Sequence, residues 1–162
     1  MGYIMNIGII SDTHNYLNPR IIQYLQGVDL ILHAGDIGSQ EILDKLTLIA
    51  PVTAIRGNTD YKGAVNTLPE QIITTLGNVT FLIIHDIGNI NSFCEKLNQG
   101  EFHPLPGVIV YGHTHQAFYK KIDGFIFLNP GSATSSRDHR KPSLSILELQ
   151  DSEIISNRLI EI

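Results

Sequence analysis

Apolar positions in the first third of the chain predict strands that alternate with helices. Ile4–Ile10 is a β-branched apolar run that stops at the polar turn formers of residues 11–15. Apolar residues then recur at helical spacing over residues 18–26. The same pattern continues with a strand, a helix and a strand at Val28–His33, Ile42–Ile49 and Val52–Ile55. Because strand–helix–strand crossovers are right-handed, this order predicts a first sheet whose strands are mostly parallel.

The rest of the chain has a different pattern, in which short strands are joined by tight polar turns. Gln71–Leu76 and Val79–His85 flank Gly77-Asn78, a dipeptide suited to a two-residue hairpin turn. A helix is predicted over residues 91–98. The remaining predicted strands are Val108–Tyr111, Ala117–Ile122, Phe125–Leu128, Ser143–Leu149 and Ile154–Leu159. Asp123-Gly124 is the clearest turn between them. We therefore expect a largely antiparallel second half and an α/β (α+β) fold of two stacked mixed β-sheets flanked by helices, in one domain of residues 1–162.

Composition and charge narrow the classes of partner. Apolar residues make up 43% of the chain and charged residues 17%, as expected for a folded globular protein. The net charge of −5 argues against a surface built to bind a long nucleic acid. No apolar run approaches the roughly 18–20 residues of a membrane-spanning helix, so no membrane partner is expected. Cys94 is the single cysteine, which excludes an internal disulfide and favours a cytoplasmic location.

Seven residues of metal-binding type lie where predicted strands end: Asp12, His14, Asp36, Asn58, His85, His113 and His115. Loops at the carboxyl ends of strands are where open α/β sheets bind ligands, so these side chains can converge. Their oxygen and nitrogen atoms suit Mn, Fe, Zn, Ni or Mg ions. Each also has a structural interpretation, as a helix cap for Asp12 and Asp36, an exposed loop residue for His14, a turn former for Asn58, a core histidine for His85 and an exposed turn for His113 and His115. His33 and His103 are expected outside the site, in the core and on the surface.

The order and spacing of these motifs resemble a known enzyme superfamily. Asp12-Thr13-His14, Gly35-Asp36, Gly57-Asn58, His85 and Gly112-His113-Thr114-His115 together look like the calcineurin-like metallophosphoesterases, and most like their small bacterial and archaeal phosphodiesterases. A downstream segment, Asn129-Pro130-Gly131-Ser132 with Arg137, is also similar to that subgroup. The resemblance implies an αββα sandwich with a dinuclear metal site.

The resemblance also implies a role for each residue. Asp12, His14 and His115 would bind one metal ion, while Asn58, His85 and His113 would bind the other and Asp36 would bridge the two. A phosphate ester, most simply a diester, would be hydrolysed by in-line attack of a hydroxide held between two divalent ions, with Mn²⁺ expected ahead of Ni²⁺, Zn²⁺, Fe²⁺ or Mg²⁺. Asn58 would also touch a phosphate oxygen, and Arg137 is either a further phosphate contact or a solvated loop residue. The expected partners are a small phosphate ester and copies of the chain itself, as a homodimer or tetramer.

Two positions depart from the superfamily pattern. Thr59 stands where many members have a histidine that helps to protonate the leaving oxygen. Without that acid, poor alkoxide leaving groups should be penalised more than activated phenolates. Asp86 stands where glycine usually follows the metal-binding histidine. Two interpretations are open for it, since its carboxylate can orient His85 or crowd the site.

Two rival functions follow from the same fold. One is a non-catalytic scaffold similar to the eukaryotic retromer subunit, which lacks a complete functioning site. The other is a nucleotide or phosphoprotein monoesterase of the same superfamily, although such enzymes usually carry the histidine that Thr59 replaces. The presence of donors at all seven positions favours the phosphodiesterase hypothesis.

Overall fold

A computed structural model describes residues 2–134 and 141–162. Its strands are β1 (Ile4–Ile10), β2 (Leu30–His33), β3 (Val52–Ala54), β4 (Gln71–Leu76), β5 (Val79–Ile84), β6 (Val108–Val110), β7 (Phe118–Ile122), β8 (Phe125–Asn129), β9 (Ser143–Gln150) and β10 (Glu153–Glu161). Its helices are α1 (Pro19–Tyr24), α2 (Gln40–Thr47) and α3 (Ile90–Asn98), with a 3-10 turn at Ala64–Thr67. Each predicted strand and helix is present, and the 3-10 turn is an addition.

The first sheet has the order β10-β9-β1-β2-β3. β1 pairs in parallel with β2, and β2 with β3, as the crossovers through α1 and α2 predict. β9 returns antiparallel to β1, and β10 antiparallel to β9. The expectation of a mostly parallel first sheet is therefore wrong, because the last two strands of the chain join this sheet and make half of its pairings antiparallel.

The second sheet has the order β4-β5-β6-β8-β7. Its edges are antiparallel hairpins, β4 with β5 and β7 with β8, as the turn dipeptides predict. Its centre is parallel, since β6 pairs in parallel with both β5 and β8. The prediction of an antiparallel second half thus fails at the centre, because α3 carries the chain across the sheet between β5 and β6. Both sheets are mixed, which confirms the predicted fold class.

Successive side chains along each strand point to opposite faces of its sheet, so the buried side chains form one core between the sheets and one beneath the helices on each outer face. Ile7 and Ile9 point between the sheets, where they meet Phe81 and Ile83 of β5. The opposite face of the first sheet packs on α1 and α2, and the opposite face of the second packs on α3 through Phe93, Cys94 and Leu97. Apolar residues recur at every second position on the strands and at helical spacing on the helices. They therefore build a sandwich of four layers, helices, sheet, sheet and helix. No helix in the described part of the chain is long and apolar enough to cross a membrane.

Candidate metal centre

The loops that follow β1, β2, β5 and β6 are joined to one another by hydrogen bonds from backbone N–H groups. Asp12 N–H donates to the Gly35 carbonyl at 3.0 Å, and His14 N–H donates to the Asp36 carbonyl at 3.0 Å. On the second sheet, Gly112 N–H donates to the His85 carbonyl at 3.0 Å. The two sheets are joined where His113 N–H donates to Asp12 Oδ2 at 3.2 Å. Loops that are far apart in sequence thus form one surface at the carboxyl edges of both sheets.

The backbone is strained where it presents these side chains. Asp12, His14, Asp36, His113 and His115 all have φ between 44° and 64°, in the left-handed region that non-glycine residues rarely adopt. Each such residue costs on the order of 1–3 kcal/mol, and clusters of them are typical of functional sites. The backbone of Gly57 also passes very close to the Asp36 carboxylate. A Cβ at this position would lie 2.1 Å from Asp36 Oδ1, so a larger residue would collide with it.

One group of donors lies on the first-sheet side of the site. His115 Nε2 lies 3.2 Å from Asp12 Oδ1 and 3.2 Å from His14 Nε2. His14 Nε2 also lies 3.8 Å from Asp12 Oδ1. Asp12 is fully buried and His115 almost so, whereas a third of the His14 side chain is exposed. These three side chains place a carboxylate oxygen and two imidazole nitrogens around one point, within the spacing that a single cation needs.

A second group lies towards β5 and β6. His85 Nε2 lies 3.0 Å from Asn58 Oδ1, and His113 Nδ1 lies 3.0 Å from the same oxygen. The Nδ1 of His85 lies 2.7 Å from the Ala34 carbonyl, which can only accept, so Nδ1 carries the proton. Nε2 is therefore the ring nitrogen that faces Asn58 and Asp36. It donates to Asp36 while it carries a proton, and it can bind a cation once that proton is lost.

Asp36 lies between the two groups. Its Oδ2 is 3.3 Å from His85 Nε2 and 3.9 Å from His14 Nε2, and its Oδ1 accepts the Thr59 N–H at 2.9 Å. Burial raises the pKa of Asp36, but the hydrogen bonds from His85 and Thr59 outweigh it and hold the pKa well below its ordinary value. An ionised carboxylate is thus kept between the two donor groups.

The donor set fits divalent cations. Asp12 Oδ1 is buried and has no hydrogen-bond partner among residues 2–134 and 141–162, although two imidazole nitrogens face it. A buried carboxylate oxygen without a donor is costly unless a cation is bound. The mixture of carboxylate, imidazole and amide atoms without thiolate suits Mn, Fe, Zn, Ni or Mg. The helix-cap interpretations are wrong, because α1 is capped by Asn18 and the N-cap of α2 is Ser39.

Comparison with known proteins decides the family. The sequence matches the model of the calcineurin-like phosphoesterase superfamily domain over residues 5–152. The chain belongs to this superfamily. It is 34% identical to a probable metallophosphoesterase of Methanocaldococcus jannaschii, over 100% of this chain and 84% of that protein.

Solved structures agree with this assignment. An archaeal phosphodiesterase of 26% identity superposes with a TM-score of 0.77, over 98% of this chain and 100% of that one. Vps29 from Entamoeba histolytica complexed with Zn²⁺, at 23% identity, superposes with a TM-score of 0.80 over 98% of each chain. At that identity the second comparison shows a shared fold only.

Asp60 is a residue of this superfamily domain that the sequence analysis missed. Its carboxylate is buried and accepts three backbone N–H groups, from Ile37 at 3.0 Å, Gly38 at 2.8 Å and Gly57 at 2.9 Å. These bonds join the loop after β2, which carries Asp36, to the loop after β3, which carries Asn58. The only sequence signal is an acidic residue two positions after a candidate ligand, which also fits an ordinary turn.

Asp86 departs from both interpretations that the sequence left open. His85 is oriented by the Ala34 carbonyl rather than by Asp86. The Asp86 carboxylate instead approaches the other ring of the pair, with Oδ2 3.7 Å from His113 Nε2. Its side chain is about half exposed, so it lies at the mouth of the site rather than within it.

The remaining predictions concern residues around the site. His33 is buried, its Nε2 lies 2.9 Å from Thr13 Oγ1, and burial lowers its pKa to about 4, which agrees with a neutral core histidine. His103 is exposed, as predicted. The predicted substrate contact Arg137 lies outside the described residues.

Proposed function

We propose that the chain is a metal-dependent phosphodiesterase with a dinuclear metal centre. The observation that carries the proposal is the position of Asp36, whose Oδ2 lies near one histidine of each donor group, His14 and His85. A carboxylate between two donor groups fits a ligand shared by two cations, and metal pairs about 3.5–4 Å apart are the usual arrangement for in-line phosphoryl transfer.

The ligand assignment follows the two groups. Asp12, His14 and His115 hold one ion, Asn58, His85 and His113 hold the other, and Asp36 bridges them. Mn²⁺ is the first candidate, ahead of Ni²⁺, Zn²⁺, Fe²⁺ and Mg²⁺, and the mixture of oxygen donors and imidazoles in both groups suits each of these ions. Divalent ions bound here would polarise the phosphate and lower the pKa of a coordinated water, so that a nucleophile exists at neutral pH.

The chain's own side chains prepare this site. The Ala34 carbonyl keeps the proton of His85 on Nδ1, so that Nε2 stays free to coordinate. The Thr59 N–H donates to Asp36 Oδ1 and favours its ionised form. Asn58, whose Oδ1 lies 3.0 Å from both His85 and His113, is placed to touch a phosphate oxygen through its amide nitrogen. No histidine follows Asn58, so these residues include no candidate for protonating the leaving oxygen.

Three observations favour a small diester over the rival functions. The superfamily match and the likeness to an archaeal phosphodiesterase support a phosphoester hydrolase. Strained backbone at five of the proposed ligands is a cost that a surface-only scaffold would have no reason to keep. Thr59 argues against the monoesterases that rely on a histidine at that position.

Metal loading tests the proposal. Protein stripped with a chelator is expected to show no turnover of bis(p-nitrophenyl) phosphate, and reconstitution with Mn²⁺ to restore it at two ions per chain. Metal content is measured by mass spectrometry alongside the p-nitrophenolate release. Turnover that survives complete removal of metal, or saturation at one ion per chain, would contradict the dinuclear assignment.

The leaving group is expected to control the rate. General acid catalysis contributes about 10²–10⁴-fold, so a site without it should cleave an aryl diester much faster than an alkyl one. The measurement is kcat/KM for methyl p-nitrophenyl phosphate against dimethyl phosphate on the Mn²⁺-loaded protein. Thr59→His is the matched variant, and we expect it to raise the alkyl rate more than the aryl rate. Equal rates for the two diesters would show that another group already supplies the proton.

A further inference from the structure

Asp86 holds a fixed negative charge beside the donor group of His85 and His113. Its Oδ1 accepts the Gly88 N–H at 2.8 Å, which fixes the carboxylate, and its Oδ2 lies 3.7 Å from His113 Nε2. The other ring nitrogen of His113 faces Asn58. The carboxylate therefore lies behind the ring of a proposed ligand and faces the solvent from which a substrate arrives.

Asp86 also lines the groove that leads away from the site. A cavity of about 270 Å³ is bounded by His85, Gly57 and Asp86 and extends towards Gln71. A second cavity of about 490 Å³ shares Asp86, Gln71 and Ile84 with the first and continues past Lys96. The two volumes meet at Asp86, so a substituent that leaves the site along this groove passes its carboxylate.

The other charges along the groove balance one another. Arg56 forms a short ion pair with Glu70 at the wall of the first cavity. The second cavity carries one cation and one anion besides Asp86, which are Lys96 and Glu101. Among the described lining residues, the carboxylate of Asp86 is thus the unbalanced charge.

We propose that Asp86 is a specificity-determining residue that disfavours dianionic phosphate monoesters relative to monoanionic diesters. The inference rests on the proposed function and names the substrate class of the same site. Coulomb repulsion scales with the charge of the substrate, so one fixed carboxylate repels a monoester about twice as strongly as a diester. A diester also has a second ester substituent that can occupy the groove, whereas a monoester has only its leaving group.

The test compares two substrates with the same leaving group, p-nitrophenyl phosphate and bis(p-nitrophenyl) phosphate. The monoester is mostly dianionic at pH 8. In the Mn²⁺-loaded protein at low salt, Asp86→Asn is expected to raise the monoester-to-diester ratio of kcat/KM by roughly threefold to thirtyfold, and the gain should shrink as salt is added. An unchanged ratio would overturn the proposal.

Glu153→Gln is the matched control, because it removes the same charge far from the site. Glu153 pairs with Gln150, which pairs with Ile4 at the start of β1, whereas the site follows the end of β1. The control is expected to leave the ratio unchanged. An equal rise in this variant would overturn the proposal, since the effect would then reflect net charge alone.

Two measurements without turnover complete the test. Calorimetry on the Mn²⁺-loaded proteins is expected to show tighter binding of inorganic phosphate in Asp86→Asn, with a smaller gain for dimethyl phosphate. Metal content should stay at the wild-type value, and loss of an ion would overturn the proposal in favour of a role in holding His113. If the wild-type protein hydrolyses neither ester, the proposed function fails, and the phosphate-binding comparison still decides the role of Asp86.

Discussion

Asp36→Asn is expected to lower kcat/KM for bis(p-nitrophenyl) phosphate by about a thousandfold or more. The substitution keeps the shape of the side chain and an oxygen for the Thr59 N–H, but it removes the charge between His14 and His85. Charge stabilisation of this kind is worth several kcal/mol in the transition state, and each tenfold in rate corresponds to about 1.36 kcal/mol. Metal content should fall below two ions per chain, because the ligand that both groups share is weakened.

Asp44→Asn provides the comparison for this experiment. Asp44 lies on α2 and its carboxylate accepts from Gln40 on the exposed face, so the same chemical change is made away from the site. Its turnover and metal content are expected to match those of the wild type. If Asp36→Asn kept wild-type turnover with two bound ions, Asp36 could not be the bridging ligand.

Local patterns along the chain were enough to predict the secondary structure and the place of the site. Ile4–Ile10 is a strand with the predicted bounds, because a β-branched run that ends in turn formers has few alternatives. The donors at the ends of β1 and β2 meet because parallel neighbours end at the same edge of a sheet. This part of the site therefore follows from strand order alone.

Sheet membership could not be predicted in the same way. Nothing in the sequence of β9 indicates that it pairs with β1 rather than with the second sheet, since both sheets bury apolar side chains on both faces. β7 is similar, because its hairpin with β8 is visible in Asp123-Gly124 but its position at the sheet edge is not. Pairing between distant strands is decided by packing of the whole core, which local periodicity does not describe.

Contacts between loops were also beyond the sequence. Asp86 was expected to act on its neighbour His85 or to crowd the site, yet it approaches His113, 27 positions along the chain. The orientation of His85 comes from the Ala34 carbonyl, a backbone atom that no side-chain motif reports. Such contacts depend on the folded path of the loops, so only coordinates reveal them.

Asp60→Ala is expected to lower the free energy of unfolding of the metal-free protein by about 3–6 kcal/mol, since each buried donor left without a partner costs about 1–3 kcal/mol. The variant would orphan the N–H groups of Ile37, Gly38 and Gly57 at once. Asp60→Asn keeps one acceptor oxygen and should lose about half as much, which gives a measurable value if the alanine variant does not fold. Urea unfolding followed by circular dichroism measures both, with Asp44→Ala as the exposed control. A loss below about 1 kcal/mol would mean that the two loops hold their positions without this carboxylate, because water or neighbouring groups then satisfy the three donors.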